Sequence, residues 1–202
     1  VATRTILAQQ KGNMEQLTDK TLSELQVWLS ERESAIKVFA ETGVFMDACQ
    51  GSRVEEAQKR LNQYMKKFDV YENIFLADTN GKIFLDSIDG KSVGIEVGKL
   101  PGYAINIQKA QAGELWVGNT EKSPATGRPV ALITAPIKSK SGEIVGIMGT
   151  PVELRNFSDE FISKVKLGNS GYFYMMDSNG IVFAHPEKEN ILTLDLSKTD
   201  FG

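Results

Sequence analysis

"IFLADTNGKIFLD", Ile74 to Asp86, sets two apolar runs on either side of Asp78-Thr79-Asn80-Gly81, the pattern of a tight β-hairpin. Asp and Asn bond their own backbone in such turns, and Gly takes positive φ at little steric cost. A closely similar stretch, "YFYMMDSNGIVFAH", runs from Tyr172 to His185. Aligning the two turns gives an offset of 99 residues (177 − 78), with Phe75 over Tyr174 and Phe84 over Phe183. A D-x-N-G turn alone is common. Its surroundings favour a repeat: each hairpin follows a helix and a Gly- or aromatic-rich entry, so each is expected to open a sheet of its own.

The stretches around the first hairpin say what kind of sheet. From Asn13 to about Glu41 there is no Gly or Pro, and Met14, Leu17, Leu25, Trp28, Ala35, Ile36 and Phe39 recur at three- and four-residue steps. This predicts an amphipathic helix of about 29 residues and about 43 Å, part of it a stalk or a partner contact, with Thr42-Gly43 as its stop. Ser52-Arg53-Val54-Glu55 reads as a capping box opening a helix to about Phe68. Strands are expected at 73–77, 82–87, 115–118, 128–137 and 143–153, and a short helix from Tyr103 to Gln111. A polar linker helix follows from Asn156 to about Lys166, ended by Gly168-Asn169-Ser170-Gly171. Neighbouring strands usually pair, so the fold class is α+β: one antiparallel sheet with a helix-covered face, like a PAS sheet.

Composition narrows the chemistry. With 202 residues, 41% hydrophobic and 24% charged, the chain has enough apolar mass for a core. Its 23 basic and 26 acidic residues are scattered, and the net charge of −3 shows no basic stripe for nucleic acid. One cysteine, Cys49, and one histidine, His185, are too few for a Cys-rich metal site, a zinc hydrolase or a Ser-His-Asp triad, so neither catalytic nor metal-ligating residues are assigned and no cofactor is expected. No run approaches the roughly 20 apolar residues of a membrane span. A chain starting at Val1 and stopping at Gly202 is read as a piece of a longer protein whose flanks include membrane spans.

The long helix, "IFLADTNGKIFLDS", the short helix, "GNTEKSPATGRPVALITAPIKSKSGEIVGIMGTPVEL", a linker helix and "GNSGYFYMMDSNGIVFAHP" together resemble the double Cache domain of bacterial transmembrane receptors. Such domains are the extracytoplasmic, periplasmic input modules of methyl-accepting chemotaxis proteins, sensor kinases and some diguanylate cyclases, anchored in the inner membrane. The resemblance covers almost the whole chain. It implies a stalk helix at 1–50, a membrane-distal PAS-like module at 51–152, a linker helix at 153–167 and, from 168 to 202, the beginning of a membrane-proximal module that is incomplete. It also implies a homodimer through the long helix and a small ligand on the concave face of the distal sheet.

On that face, polar and aromatic groups interrupt apolar runs. The candidate ligand-binding residues are Tyr103 and Asn106 on the short helix, Trp116, Asn119, Glu121 and Ser123 on the crossing segment, and Thr134, Met148 and Thr150 on the sheet. Each also has a plainer structural reading: Trp116 as a core aromatic, Thr134 as a strand residue, Asn119 and Ser123 as loop residues bonding backbone. Relatives that sense amino acids carry Arg, Trp and Tyr on the short helix, Tyr-x-Asp on the next segment and Asp on the last strand. Here those positions are Ala104, Asn106, Ile107, Glu121, Ser123 and Pro151, so the cation that clamps a carboxylate and the last-strand acid are both gone. Glu121 with Trp116 suits a cation or a neutral polar ligand instead. Two alternatives stand beside direct sensing: a cytoplasmic PAS-like module holding a cofactor, and an input domain that senses through a partner binding protein.

Overall fold

The computed structural model describes residues 2–167 and 171–199, with side chains from residue 9 onward. Helix α1 (Ala2–Ala40) has 39 residues, so it is about 58 Å long and begins well before the expected Asn13. Its C-terminal half carries the packed face, with Trp28, Ile36, Phe39 and Ala40 buried, whereas Met14 and Leu22 are exposed. Thr42-Gly43 is not a left-handed stop. Thr42 is extended, and a further helix, α2 (Gly43–Cys49), starts at once and buries Val44, Phe45 and Ala48.

The capping box before α3 (Val54–Lys67) does not form. Arg53 takes the cap position in left-handed backbone, with φ 53°, and its guanidinium reaches Asp47 at 2.7 Å and Glu56 at 2.6 Å. Ser52 Oγ donates instead to the Asp47 carbonyl at 3.1 Å. Two acids bridged by one arginine fix this turn, and the hydroxyl is left to the preceding helix end.

Strands β1 (Phe75–Ala77), β2 (Ile83–Asp86), β3 (Trp116–Lys122), β4 (Pro129–Lys138) and β5 (Ile144–Glu153) form one sheet in the order β2-β1-β5-β4-β3. Every pairing is antiparallel. The chain makes the first hairpin, crosses through helix α4 (Ala104–Gln111) to the far edge, and returns strand by strand until β5 closes on β1. Period-two alternation sorts the faces. Ile133, Ala135 and Ile137 of β4 and Met148 of β5 meet α1, α2 and α3 in the larger core, with Phe39, Phe45 and Leu61. Phe75, Leu132 and Ile147 face the other way and pack with Tyr103 and Ile107 at α4.

Helix α5 (Leu154–Phe161) starts two residues before the expected Asn156 because Glu153 caps it, accepting the Arg155 and Asn156 N–H groups at 3.3 and 3.1 Å. Phe157 and Phe161 sit edge-on to Trp28 of α1, at ring distances of 5.4 and 5.6 Å. Lys166, expected at the end of that helix, lies in β6 (Lys166–Leu167), paired with β7 (Gly171–Tyr172). Of the expected Gly168–Gly171 stop, residues 168–170 lie outside the described residues. The second hairpin pairs β8 (Met175–Met176) with β9 (Val182–Ala184).

The two hairpins match in detail. Asp78 Oδ1 accepts the Asn80 and Lys82 N–H groups, and Asp177 Oδ1 accepts those of Asn179 and Ile181, all between 2.9 and 3.0 Å. Gly81 and Gly180 hold φ of 84° and 83°. The likeness runs on beyond the turns. Val97 N–H donates to Gly81 O and Leu196 N–H to Gly180 O, each at 2.8 Å, and each donor opens a 3₁₀ turn, Val97–Lys99 and Leu196–Lys198.

Candidate functional site

On the α4 side of the sheet, the segment joining β3 to β4 folds back over the strands and leaves a cavity of about 30 Å³, room for little more than a water. Phe75, Val97 and Leu132 form its apolar wall, and Glu72, Asn73, Ser92, Tyr103 and Ser123 supply polar groups. Local chemistry builds the roof. Ser123 Oγ accepts the Ala125 and Thr126 N–H groups, each at 3.3 Å, curling Ser123-Pro124-Ala125-Thr126 into a tight turn. Thr126 Oγ1 then donates to Glu72 Oε1 at the head of β1. Tyr103 OH donates to the Lys122 carbonyl at 3.0 Å, tying α4 to the start of the same segment. Burial, followed by the charges of Glu121 and Glu72, pushes the Tyr103 phenol well above its usual range, so it stays a neutral donor.

Beside the cavity a polar chain fixes its floor. Asn73 Nδ2 donates to Ser92 Oγ at 3.0 Å, and Ser92 Oγ donates to Asp86 Oδ2 at 2.7 Å. The Ser92, Gly90 and Ile88 N–H groups also donate to the Asp86 carboxylate, at 2.7, 2.7 and 3.1 Å. Burial alone would raise this carboxyl, but the bonds from Ser92, Gly90 and Ile88 outweigh it and hold Asp86 below the usual carboxylate range.

The structure brings two of the nine sequence candidates, Tyr103 and Ser123, to the cavity wall. Asn106 and Thr134 are buried next to one another beneath α4: Asn106 Nδ2 donates to Leu132 O at 2.9 Å, and Thr134 Oγ1 to Asn106 O at 3.2 Å. Glu121 lies over Gly102, close enough to bear on Tyr103. Trp116 is half-buried under the Lys109 ammonium, 4.8 Å from its ring centroid, and does not line the cavity. Asn119 is exposed in the register shift of β3. Met148 and Thr150 do not line it either, because they alternate with Ile147 and Gly149 and point to the helix-covered face.

Sequence reasoning missed Glu72, Asn73, Ser92 and Thr126. The signal for the first two is an acid and an amide standing directly before the apolar run of β1; for the others only the fold brings them near. Cys49 packs against Gly146 on the helix side, and burial pushes its thiol up to about 12. His185 is held within its own hairpin, where Nδ1 accepts the Glu187 N–H at 2.9 Å. Among the described residues there is no cluster of three or more His, Cys, Asp or Glu able to hold a metal, and no helix long and apolar enough to cross a membrane.

A five-stranded antiparallel sheet in this order, with helices on one face and a roofed cleft on the other, is a PAS-like architecture. The chain belongs to the Cache domain family, whose model matches residues 2–201. It is 35% identical over 69 residues to the methyl-accepting chemotaxis protein McpA of Pseudomonas putida, a stretch that is 34% of this chain and 11% of that protein. Among solved structures it resembles the sensor domain of the V. cholerae histidine kinase DctB, with TM-score 0.71 at 14% identity, covering 89% of this chain and 68% of that one. It also resembles the ligand-binding domain of the Pseudomonas fluorescens chemoreceptor CtaA in complex with L-alanine, with TM-score 0.66 at 19% identity, over 90% and 74% of the two chains. The Pseudomonas aeruginosa chemoreceptor PctC ligand-binding domain in complex with GABA gives TM-score 0.67 at 17% identity, over 90% and 79%. At these identities the structural likeness is one of fold.

Proposed function

We propose that this chain is the ligand-sensing, extracytoplasmic part of a membrane-anchored bacterial receptor of the chemotaxis type. A small molecule binds the cavity between the sheet, α4 and residues 123–127. In this reading, residues 51–152 are the membrane-distal module, 153–167 a linker helix, and 168–202 the opening of a membrane-proximal module. The long helix 1–50 is the stalk and the dimer contact.

The observation that carries the proposal is the roof. Residues 123–127 are held to the sheet by Thr126 on Glu72, and Lys122 of β3 just before them is tied to α4 by Tyr103, over a cavity lined on one side by apolar strands. Such a segment can lift to admit a ligand and close over it. The closed cavity is too small for an amino acid, so binding must favour an opened roof. A ligand signals only if it binds the two arrangements unequally. The edge-on packing of Trp28 on Phe157 and Phe161 gives a route by which a shift in the sheet reaches α1 and α5 together.

The family match, the McpA stretch and the fold shared with the DctB, CtaA and PctC domains support sensing. They do not carry the ligand over, because no basic side chain lines this cavity among the described residues to clamp a carboxylate. Thermal-shift screening against organic acids, amines, amino acids and purines tests the proposal. At least one class is expected to raise Tm, and Ala125→Trp, which fills the cavity from its roof, should abolish that shift with the fold intact. Silence from the whole panel in the unmodified protein sinks direct sensing and favours a partner binding protein.

A further inference from the structure

Two carboxylates are buried beside the cavity, and they are treated oppositely. Asp86 is saturated: each oxygen accepts two hydrogen bonds, and all of them come from its own loop, so it is a structural group. Glu72, 4% exposed, has one partner, Thr126 Oγ1 on Oε1, while Oε2 is buried with none. Of the buried polar atoms without a partner among the described residues, it is the one carboxylate and the one that belongs to a cavity-lining side chain. A buried carboxylate oxygen without a donor is costly, and the cost is removed by a cation or a strong donor.

No lysine, arginine or histidine lines the cavity to serve as that donor. Nor is Glu72 in any ion pair among the described residues. Glu121 lies over Gly102 and does not line the cavity, so Glu72 is its one acidic group among the described residues. The cavity therefore presents negative charge against an apolar wall of Phe75, Val97 and Leu132, with Ser92, Ser123 and Tyr103 as neutral polar groups around it.

We infer that Glu72 is the ligand-discriminating residue of the cavity, and that it selects a small ammonium-bearing ligand, an amine without need of a carboxylate. The inference rests on the sensing role proposed above. Glu72 also links recognition to the roof: its Oε1 holds Thr126 while its Oε2 is left for the ligand. An ammonium on Oε2 thus bears on the same side chain that anchors residues 123–127. The charge comes from Glu72, and the size limit comes from Phe75 and Leu132.

The test uses matched ligands that differ in charge but hardly in shape: ethanolamine, ethylene glycol and glycolate, and putrescine, 1,4-butanediol and succinate. With the full chain, the amines are expected to raise Tm while their diols and acids do not. Glu72→Gln, which keeps the shape and removes the charge, should weaken amine binding by at least about tenfold in calorimetry. Thr126→Val keeps the charge and should keep the preference for amines. A diol or acid that stabilises as well as its amine overturns the inference while leaving the cavity a binding site. An amine affinity unchanged in Glu72→Gln also overturns it. Silence to every amine overturns it too, and the wider ligand panel then decides separately whether the cavity binds anything. The matched series in the unmodified protein decides the matter even if Glu72→Gln fails to fold.

Discussion

His185 occupies in the second hairpin the place that Asp86 occupies in the first. The two lie at the same offset of 99 as the turns, each is buried at the end of the second hairpin strand, and each accepts the N–H of the residue two further on, Ile88 and Glu187. A carboxylate and an imidazole thus cap the same loop with a single lone-pair acceptor, and Asp86 goes further by taking three more bonds. The one histidine of the chain is accounted for by this structural role.

The Asp86 cap makes stability depend on acid. Its folded carboxyl titrates below the unfolded one, so its stabilisation is full above the unfolded value of about 3.9 and is lost as pH falls through the lower folded value. Asp86→Ala should cost about 3 kcal/mol at neutral pH, because four donors lose a charged acceptor. Urea denaturation followed by circular dichroism at pH 7 and pH 3 measures it. The difference between variant and parent must shrink at the lower pH; a difference constant with pH contradicts this account of the loop.

Gly118 is held to glycine by contact. A Cβ there would stand 2.1 Å from Asn106 Oδ1, in the side chain that joins α4 to Leu132 O. Gly118→Ala should therefore destabilise by about 1–3 kcal/mol through overpacking. Adding Asn106→Ala to that background should cost less than it does alone, since truncating Asn106 also relieves the clash. Simple additivity of the two changes, read from urea midpoints, would show that they do not touch.

Cys49 tests the helix-covered face. Burial pushes its thiol up to about 12, so almost no thiolate exists at pH 8, and its Sγ is packed against Gly146 of β5. Labelling by iodoacetamide under native conditions should be slower than in denaturant by at least about a hundredfold. Labelling at the unfolded rate would mean that α2 leaves the sheet readily.

What the sequence discloses and what it hides divide along a physical line. The D-x-N-G turns, the strands around them and α4 depend on neighbouring residues, so turn chemistry and alternation were enough. Helix α2 has seven residues, too short for a helical period to show, and the Arg53 turn depends on Asp47 and Glu56 lying within reach of one guanidinium. Alternation shows that Met148 and Thr150 share a face, but which face the helices cover is decided by long-range packing. Glu72 looks like an ordinary solvated acid at a strand head until the roof folds over it.

The outer face of α1 leads to the remaining prediction. Val27 and Val38 are 62% and 63% exposed on a face they share with Ser30, Glu31, Ser34 and Ala35, a groove that Phe68 closes on one side. Small residues between two valines let a second helix approach closely, and the two valines supply the apolar area that drives association. This groove is the dimer contact we propose for the receptor. Sedimentation velocity over a concentration series should show the chain passing from monomer to dimer. Val38→Glu, which sets two like charges against each other across a two-fold contact, should weaken the dimer by at least about tenfold without lowering Tm. A chain that stays monomeric at the highest concentration, or a Val38→Glu variant that dimerises as before, removes this face as the contact and leaves the stalk to find its partner elsewhere.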